Sequence, residues 1–286
     1  MNWKKNLIIN SKIYANEYLW GVFLLISAIR LLFHCEYFYF ALTVVFLFSL
    51  YFNILFYQKI AQKNNYAYIF RALYYLLLMN IFFLLLRDIS ALINEGKKDE
   101  LLYNIDKFIS KEYIGIYLEN YSNKFITEVL AIAYLLFFPQ LIFFCFATLR
   151  SRELTIKFYS GLFSLYAIGY IGYITIPAIG PYDFLANRFN NLLEGYKFYS
   201  ILAKTYPMGT NFTDVFPSLH CAISAFNLFF AYKFMRKYFY FWLVPNIFLI
   251  ISTVYLRYHY LIDCIAGIFL AIFCFYFIAE REKIYR

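Results

Sequence analysis

Two of the chain's three histidines lie in short strings whose residue types fit one divided reaction site: Pro217-Ser218-Leu219-His220 and Arg257-Tyr258-His259-Tyr260-Leu261-Ile262-Asp263. Asp263 follows His259 by four residues, so a helix beginning at that turn stacks both side chains on one face. A carboxylate bonded to one imidazole nitrogen fixes the tautomer and directs the other nitrogen outward, as the orienting acid of a nucleophile triad does. The pattern makes His259 a candidate nucleophile, Asp263 its orienting acid and His220 a candidate proton donor. As an isolated residue His220 could simply pack at a helix start, but beside the second string the three roles complete one another. Arg257, two residues before His259, is a boundary arginine of the kind that snorkels to headgroups. Ser218 and the first amides of the following helix add donors at a positive helix end. Asp183 and Asp214 are expected to be polar loop residues. Two histidines and a carboxylate could also ligate zinc, against which stands the absence of an H-E-x-x-H string or other dense ligand spacing.

Both strings border apolar runs, where an ionisable side chain is costly and marks a functional site. The 286 residues are 63% hydrophobic, 24% aromatic and only 15% charged, against about 25% charged in soluble domains. That composition specifies an integral, multi-pass membrane protein forming a single membrane domain over 1–286. The net charge of +9 is scattered between apolar spans, with no basic patch or arm, so nucleic acid is not an expected partner. The five cysteines lie in or beside apolar runs without a C-x-x-C pair and are expected to be free packing thiols. Lys4 and Lys5 precede the first apolar run without a cleavage signal, so that run is expected to be a retained anchor.

Because a helix needs about 20 apolar residues to cross hydrocarbon, eight segments qualify or nearly do: 18–33, 37–57, 67–86, 126–149, 158–176, 219–235, 238–256 and 260–279. The first carries Arg30 and is short. The fold class expected is an all-α polytopic membrane bundle of about eight spans, with six as the alternative count. Alternate connections divide the lysines and arginines unequally. One side holds fourteen: Lys4, Lys5, Lys12, Lys59, Lys63, Arg150, Arg152, Lys157, Lys233, Arg236, Lys237, Arg281, Lys283 and Arg286. The other side holds ten, six of them in 87–125 and offset there by seven acids. Cytoplasmic loops carry the excess, so both termini are expected in the cytoplasm and both histidine strings on the non-cytoplasmic face. In the outer 87–125 connection, Leu101, Leu102, Ile105, Phe108 and Ile109 recur at helical spacing beside Lys98, Asp99, Asp106 and Lys107. This is expected to be an external interfacial helix, either a cover over the site or a solvated connector.

The two strings resemble the second and third motifs of the type-2 phosphatidic acid phosphatase superfamily, which includes glucose-6-phosphatase and vanadium haloperoxidases. The form Phe216-Pro-Ser-Leu-His220 with Arg257-Tyr-His-Tyr-x-x-Asp263 is most similar to the branch containing inositol phosphorylceramide synthase. The likeness implies a catalytic core over 126–286, preceded by extra amino-terminal spans over 1–86. It implies phosphoryl transfer without metal or other cofactor: His259 attacks phosphorus, Asp263 holds its ring and His220 protonates the departing oxygen. The substrate implied is a lipid phosphate ester in a plasma, inner or endomembrane bilayer, and the acceptor is water or a lipid or polyol hydroxyl. The chain departs from the family where a first motif with Lys and Arg-Pro is usual. Here Tyr173-Ile-Thr-Ile-Pro177-Ala-Ile-Gly180-Pro181-Tyr182 has no base, and Tyr173, Pro177, Gly180 and Tyr182 become candidate pocket residues, although Pro177, Gly180 and Pro181 could merely end the fifth span. Thr253 stands where the third motif usually has Arg, and Leu219 where the second has Gly. Ser218 and Arg257 are left as the phosphate-binding candidates. A transporter or flippase is the alternative of another class; it is disfavoured by clustering of the polar groups at one surface and by the lack of an internal repeat. Nothing in the sequence specifies the oligomeric state.

Overall fold

A computed structural model describes residues 13–60, 66–94, 96–205 and 213–283. Lys4, Lys5, Lys12, Lys63, Glu95 and Arg286 of the charge count lie outside the described residues. The helices are α1 (Ala15–Phe33), α2 (Tyr37–Ile60), α3 (Ala67–Leu92), α4 (Asp99–Ser110), α5 (Ile114–Glu119), α6 (Lys124–Leu135), α7 (Phe137–Thr148), α8 (Arg152–Thr175), α9 (Pro181–Phe184), α10 (Lys197–Thr205), α11 (Leu219–Phe234), α12 (Arg236–Tyr255) and α13 (Leu261–Phe273). A π-helical segment, Cys274–Ala279, prolongs α13. The described residues contain no strand; the extended backbone at Ala178 and Asp214 forms one isolated bridge.

Helix occupies all eight apolar segments. Six are long and apolar enough to cross a membrane: α1, α2 over Tyr37–Tyr57, α3, α6 with α7, α12, and α13 with its extension. The other two, α8 and α11, are less apolar or shorter for a physical reason. Helix α8 is buried without interruption from Thr155 to Ala167. It faces protein rather than lipid, and its Ser160, Gly161 and Ser164 permit close helix packing that hydropathy does not register. Helix α2, in contrast, is only 11% buried across its apolar window and presents its side chains outward.

Trp20 and Phe23 of α1 meet Phe82 of α3 and Tyr170 of α8 in mostly edge-on ring contacts, and the Trp20 indole donates to the Phe163 carbonyl at 3.1 Å. The amino-terminal helices therefore share the core of the carboxy-terminal ones. Arg30 is accommodated by helix ends: its guanidinium donates to the Ile174 carbonyl, to Ile93 O at 2.7 Å and to Asn94 Oδ1 at 2.9 Å. These carbonyls close α8 and α3, where the aligned peptide dipoles favour a cation.

The fourth span is broken at Leu136 because Pro139 lacks an amide and crowds the turn before it. Helix α4 turns two of its three acids inward, departing from the solvated polar face expected from its spacing. Asp99 and Asp106 are buried, whereas Leu101, Phe108 and Ile109 are exposed. Unpaired amides explain the departure. Asp99 accepts from the Ile179 and Gly180 amides and from the Tyr260 hydroxyl, and Asp106 accepts from Leu261 N at 2.7 Å and Ile262 N at 2.9 Å. Helix α4 thus braces the loops at the starts of α9 and α13. Cys145, Cys221, Cys264 and Cys274 are buried and free, and Cys35 is free and exposed.

Candidate active site

The chain enters α11 through a cis Phe216–Pro217 bond. Ser218 is its N-cap, accepting from the Cys221 amide at 3.3 Å through Oγ, and its own amide donates to the Asp263 carbonyl at 3.0 Å. This link ties the start of α11 to α13. Gly267 permits the approach, since a Cβ there would sit 2.4 Å from Ser218 O. Ser218 N–H is therefore engaged within the protein, while its hydroxyl hydrogen can still be offered to a ligand.

His259 sits in the turn between α12 and α13. The Tyr258 and His259 amides both reach the Thr253 carbonyl, at 3.0 and 3.1 Å, and Arg257 adopts the left-handed region with φ of 69°. The Tyr113 hydroxyl, from the loop before α5, lies 2.9 Å from Val254 O and 3.1 Å from His259 O. His259 Nδ1 donates to the Val215 carbonyl at 3.1 Å and stands 3.6 Å from Asp263 Oδ2. A carbonyl can only accept, so Nδ1 carries the hydrogen and Nε2 keeps its lone pair. Asp263 Oδ2 also accepts from Tyr260 N at 2.7 Å, and its buried Oδ1 has no hydrogen-bond partner. Burial holds the His259 pKa below its usual value, against the opposing pull of Cys221, Asp214 and the Val215 carbonyl. A neutral imidazole is the form a nucleophile requires.

His220 projects from the first turn of α11 to face this ring, with centroids 5.8 Å apart and planes inclined at 57°. The break between α6 and α7 supplies its walls. Tyr134 stacks on the imidazole at 4.6 Å, Phe137 packs at 4.5 Å, and the Tyr134 hydroxyl lies 3.4 Å from His220 Nδ1. The structure thus brings His220, His259, Asp263 and Ser218 together at the adjoining starts of α11 and α13.

Arg257 is buried at the rim of the same turn. Its guanidinium stacks 3.7 Å above Phe189, donates to Asn191 O at 3.0 Å and lies 3.5 Å from Glu119, while its Nε is buried without a partner. The candidate pocket residues divide into two groups. Tyr173 lines a cavity shared with His220. Pro177, Gly180 and Tyr182 instead support surrounding turns: Pro177 O accepts from Lys98 N, and Tyr182 N donates to Arg257 O at 2.7 Å. Gly180 has φ of 88°, and a Cβ there would meet Tyr258 O at 2.8 Å.

Sequence reasoning missed Tyr134, Phe137, Tyr113, Glu119 and the Val215 carbonyl, and it treated Asp214 as an ordinary loop acid. Asp214 instead lines the cavity beside His220; burial raises its carboxyl pKa and the His259 charge opposes that rise. Among the described residues no group of three His, Cys, Asp or Glu side chains is disposed to hold a metal ion.

No solved structure matches the chain. It is 31% identical over 115 residues to a PA-phosphatase related-family protein of Dictyostelium discoideum, a match covering 39% of this chain and 21% of that relative. The chain therefore aligns with about a fifth of that relative's length. The family model of the PAP2 superfamily matches residues 116–277, which take in α6 to α13 and with them Ser218, His220, Arg257, His259 and Asp263, and the chain belongs to that superfamily.

Proposed function

We propose that this membrane protein is a lipid phosphate phosphatase or phosphotransferase working through a phosphohistidine on His259. The facing imidazoles of His220, on α11, and His259, in the turn between α12 and α13, support this reading most directly. His259 Nε2 attacks phosphorus as the P–O bond to the lipid alcohol breaks, and His220 gives its proton to the departing oxygen. In the second step an acceptor hydroxyl loses its proton to His220 and attacks phosphorus; the N–P bond breaks and His259 is restored. The Val215 carbonyl and Asp263 hold the ring and stabilise the positive charge it gains. The Arg257 guanidinium and the Ser218 hydroxyl would serve the equatorial oxygens, where phosphoryl transfer needs stabilisation. Water as acceptor gives hydrolysis. A lipid hydroxyl gives headgroup transfer, which the likeness of both motifs to the inositol phosphorylceramide synthase branch favours as the second reading. The charge asymmetry of the connections supports a site on the non-cytoplasmic face, with both termini in the cytoplasm.

The test uses purified protein and phosphatidic acid carrying ³²P in its phosphate, quenched in alkali during turnover. A base-stable, acid-labile label on the protein is expected, together with phosphate release, and both should vanish in His259→Ala. Release persisting in that variant would overturn the nucleophile assignment. Adding diacylglycerol and resolving free phosphate from newly formed phospholipid separates hydrolysis from transfer. Lipid flux without phosphate release would instead indicate a transporter.

A further inference from the structure

Beside His220 opens a cavity of about 340 Å³ between α3, α7, α8 and α11, a volume within the range of small-molecule sites. His220, from the reaction centre, lines it with Asp214; the remaining lining is largely apolar or aromatic, Met79, Leu141 and Ile142 among it, with Asn80 the one amide. On α7, Phe138 is 58% exposed and Ile142 56% exposed, so the apolar portion adjoins the outer surface of the bundle, where lipid chains lie.

The direction of the chemistry says which part of a substrate belongs there. In an in-line displacement the nucleophile and the departing oxygen stand on opposite sides of phosphorus. His259 attacks from one side, so the oxygen protonated by His220 carries its alcohol away from His259, toward the cavity His220 lines. The Asp214 carboxyl lining the cavity can share a hydrogen bond with a neutral hydroxyl in either protonation state, which suits an alcohol oxygen better than a phosphate. The phosphoryl group is thereby kept toward Arg257 and the alcohol toward the cavity.

We propose that this cavity binds a hydrocarbon chain of the lipid alcohol released from phosphorus, and that α3, which lies outside the family-matched residues 116–277, helps set which chain fits. This rests on the histidine chemistry proposed above. A chain arriving from the bilayer is already in an apolar medium, so selection depends on shape and packing rather than on escape from water. Filling the cavity should hinder lipid substrates and leave the reacting groups intact.

The test compares phosphatidic acid with p-nitrophenyl phosphate, which has no hydrocarbon chain, using the full chain in detergent micelles. Met79→Trp narrows the α3 wall and Ile142→Trp the α7 edge. In both variants kcat/KM for the lipid should fall about tenfold or more, the scale on which pockets reject a misfit, while p-nitrophenyl phosphate turnover stays within about twofold. Met79→Ala, which enlarges the cavity, should move preference toward longer or bulkier chains. If Ile142→Trp lowers both substrates equally, or leaves lipid turnover unchanged, the cavity assignment is overturned. If the unsubstituted protein hydrolyses neither substrate and forms no phosphohistidine, the histidine chemistry fails instead.

Discussion

The Nδ1 atom of His259 is held by the main-chain carbonyl of Val215 at 3.1 Å, closer than its approach of 3.6 Å to Asp263 Oδ2. The ring therefore has two acceptors on one side, one neutral and one acidic. The carbonyl alone is enough to fix the tautomer, because it cannot donate. Asp263 adds charge, and its other structural role is to take the Tyr260 amide at the start of α13.

Asp263→Asn should consequently be milder than the same change in a triad whose acid is the sole orienting group, where the loss is about 10⁴-fold. With Val215 still in place, a drop in kcat of about 10- to 100-fold is expected, the usual range for an outer orienting partner. Steady-state phosphate release measures it. A loss as large as that of His259→Ala would show that the carbonyl does not hold the ring unaided.

Much of the fold is legible in the sequence because hydrocarbon imposes a length. All eight apolar runs become helices, including 18–33, whose Arg30 finds the terminal carbonyls of α8 and α3. His220, His259 and Asp263 stand out through scarcity and spacing. Their supports do not. Val215 contributes a backbone atom, which leaves no mark on residue type, from 44 positions before His259. Tyr134 and Phe137 are two rings among 36 phenylalanines and 31 tyrosines. Asp99 and Asp106 fall on what periodicity marks as a solvated face, and only the unpaired amides at α9 and α13 explain why they are buried.

Asp106→Ala should weaken the helix that carries Asp263. The Asp106 carboxylate bonds the Leu261 and Ile262 amides, and losing such a cap costs about 0.5–2 kcal/mol. Asp106→Asn retains one acceptor oxygen and should recover part of the loss. Thermal unfolding in detergent, ranked wild type above Asn above Ala, is the expected order. Equal midpoints for all three would show that α4 does not support α13.

Gly267→Ala sets two effects against each other. Alanine in place of glycine inside a helix favours folding by about 0.8–1.0 kcal/mol. Its Cβ would stand 2.4 Å from Ser218 O and 3.2 Å from Ala222 N, both backbone atoms that cannot rotate aside. Overpacking of this kind costs on the order of 1–3 kcal/mol, so the clash should win. A lower unfolding midpoint is expected, with weaker phosphate release as Ser218 shifts. Stabilisation with full activity would show that α11 and α13 have room to separate.

The pH profile tests the buried neutral imidazole. His259 has its pKa held below 6.5 chiefly by burial, so the acid limb of kcat/KM should have its midpoint below 6.5. Asp214 pulls that pKa upward, so Asp214→Asn should move the acid limb to still lower pH. The stability consequence has the same sign. Below pH 6.5 the unfolded histidine binds a proton that the folded one refuses, so the contribution is complete above 6.5 and is lost as pH falls toward the folded pKa. Replacing His259 with Gln should flatten that part of the stability profile, measured as unfolding midpoint against pH. An acid limb that moves upward in Asp214→Asn would contradict the electrostatic coupling between the two side chains.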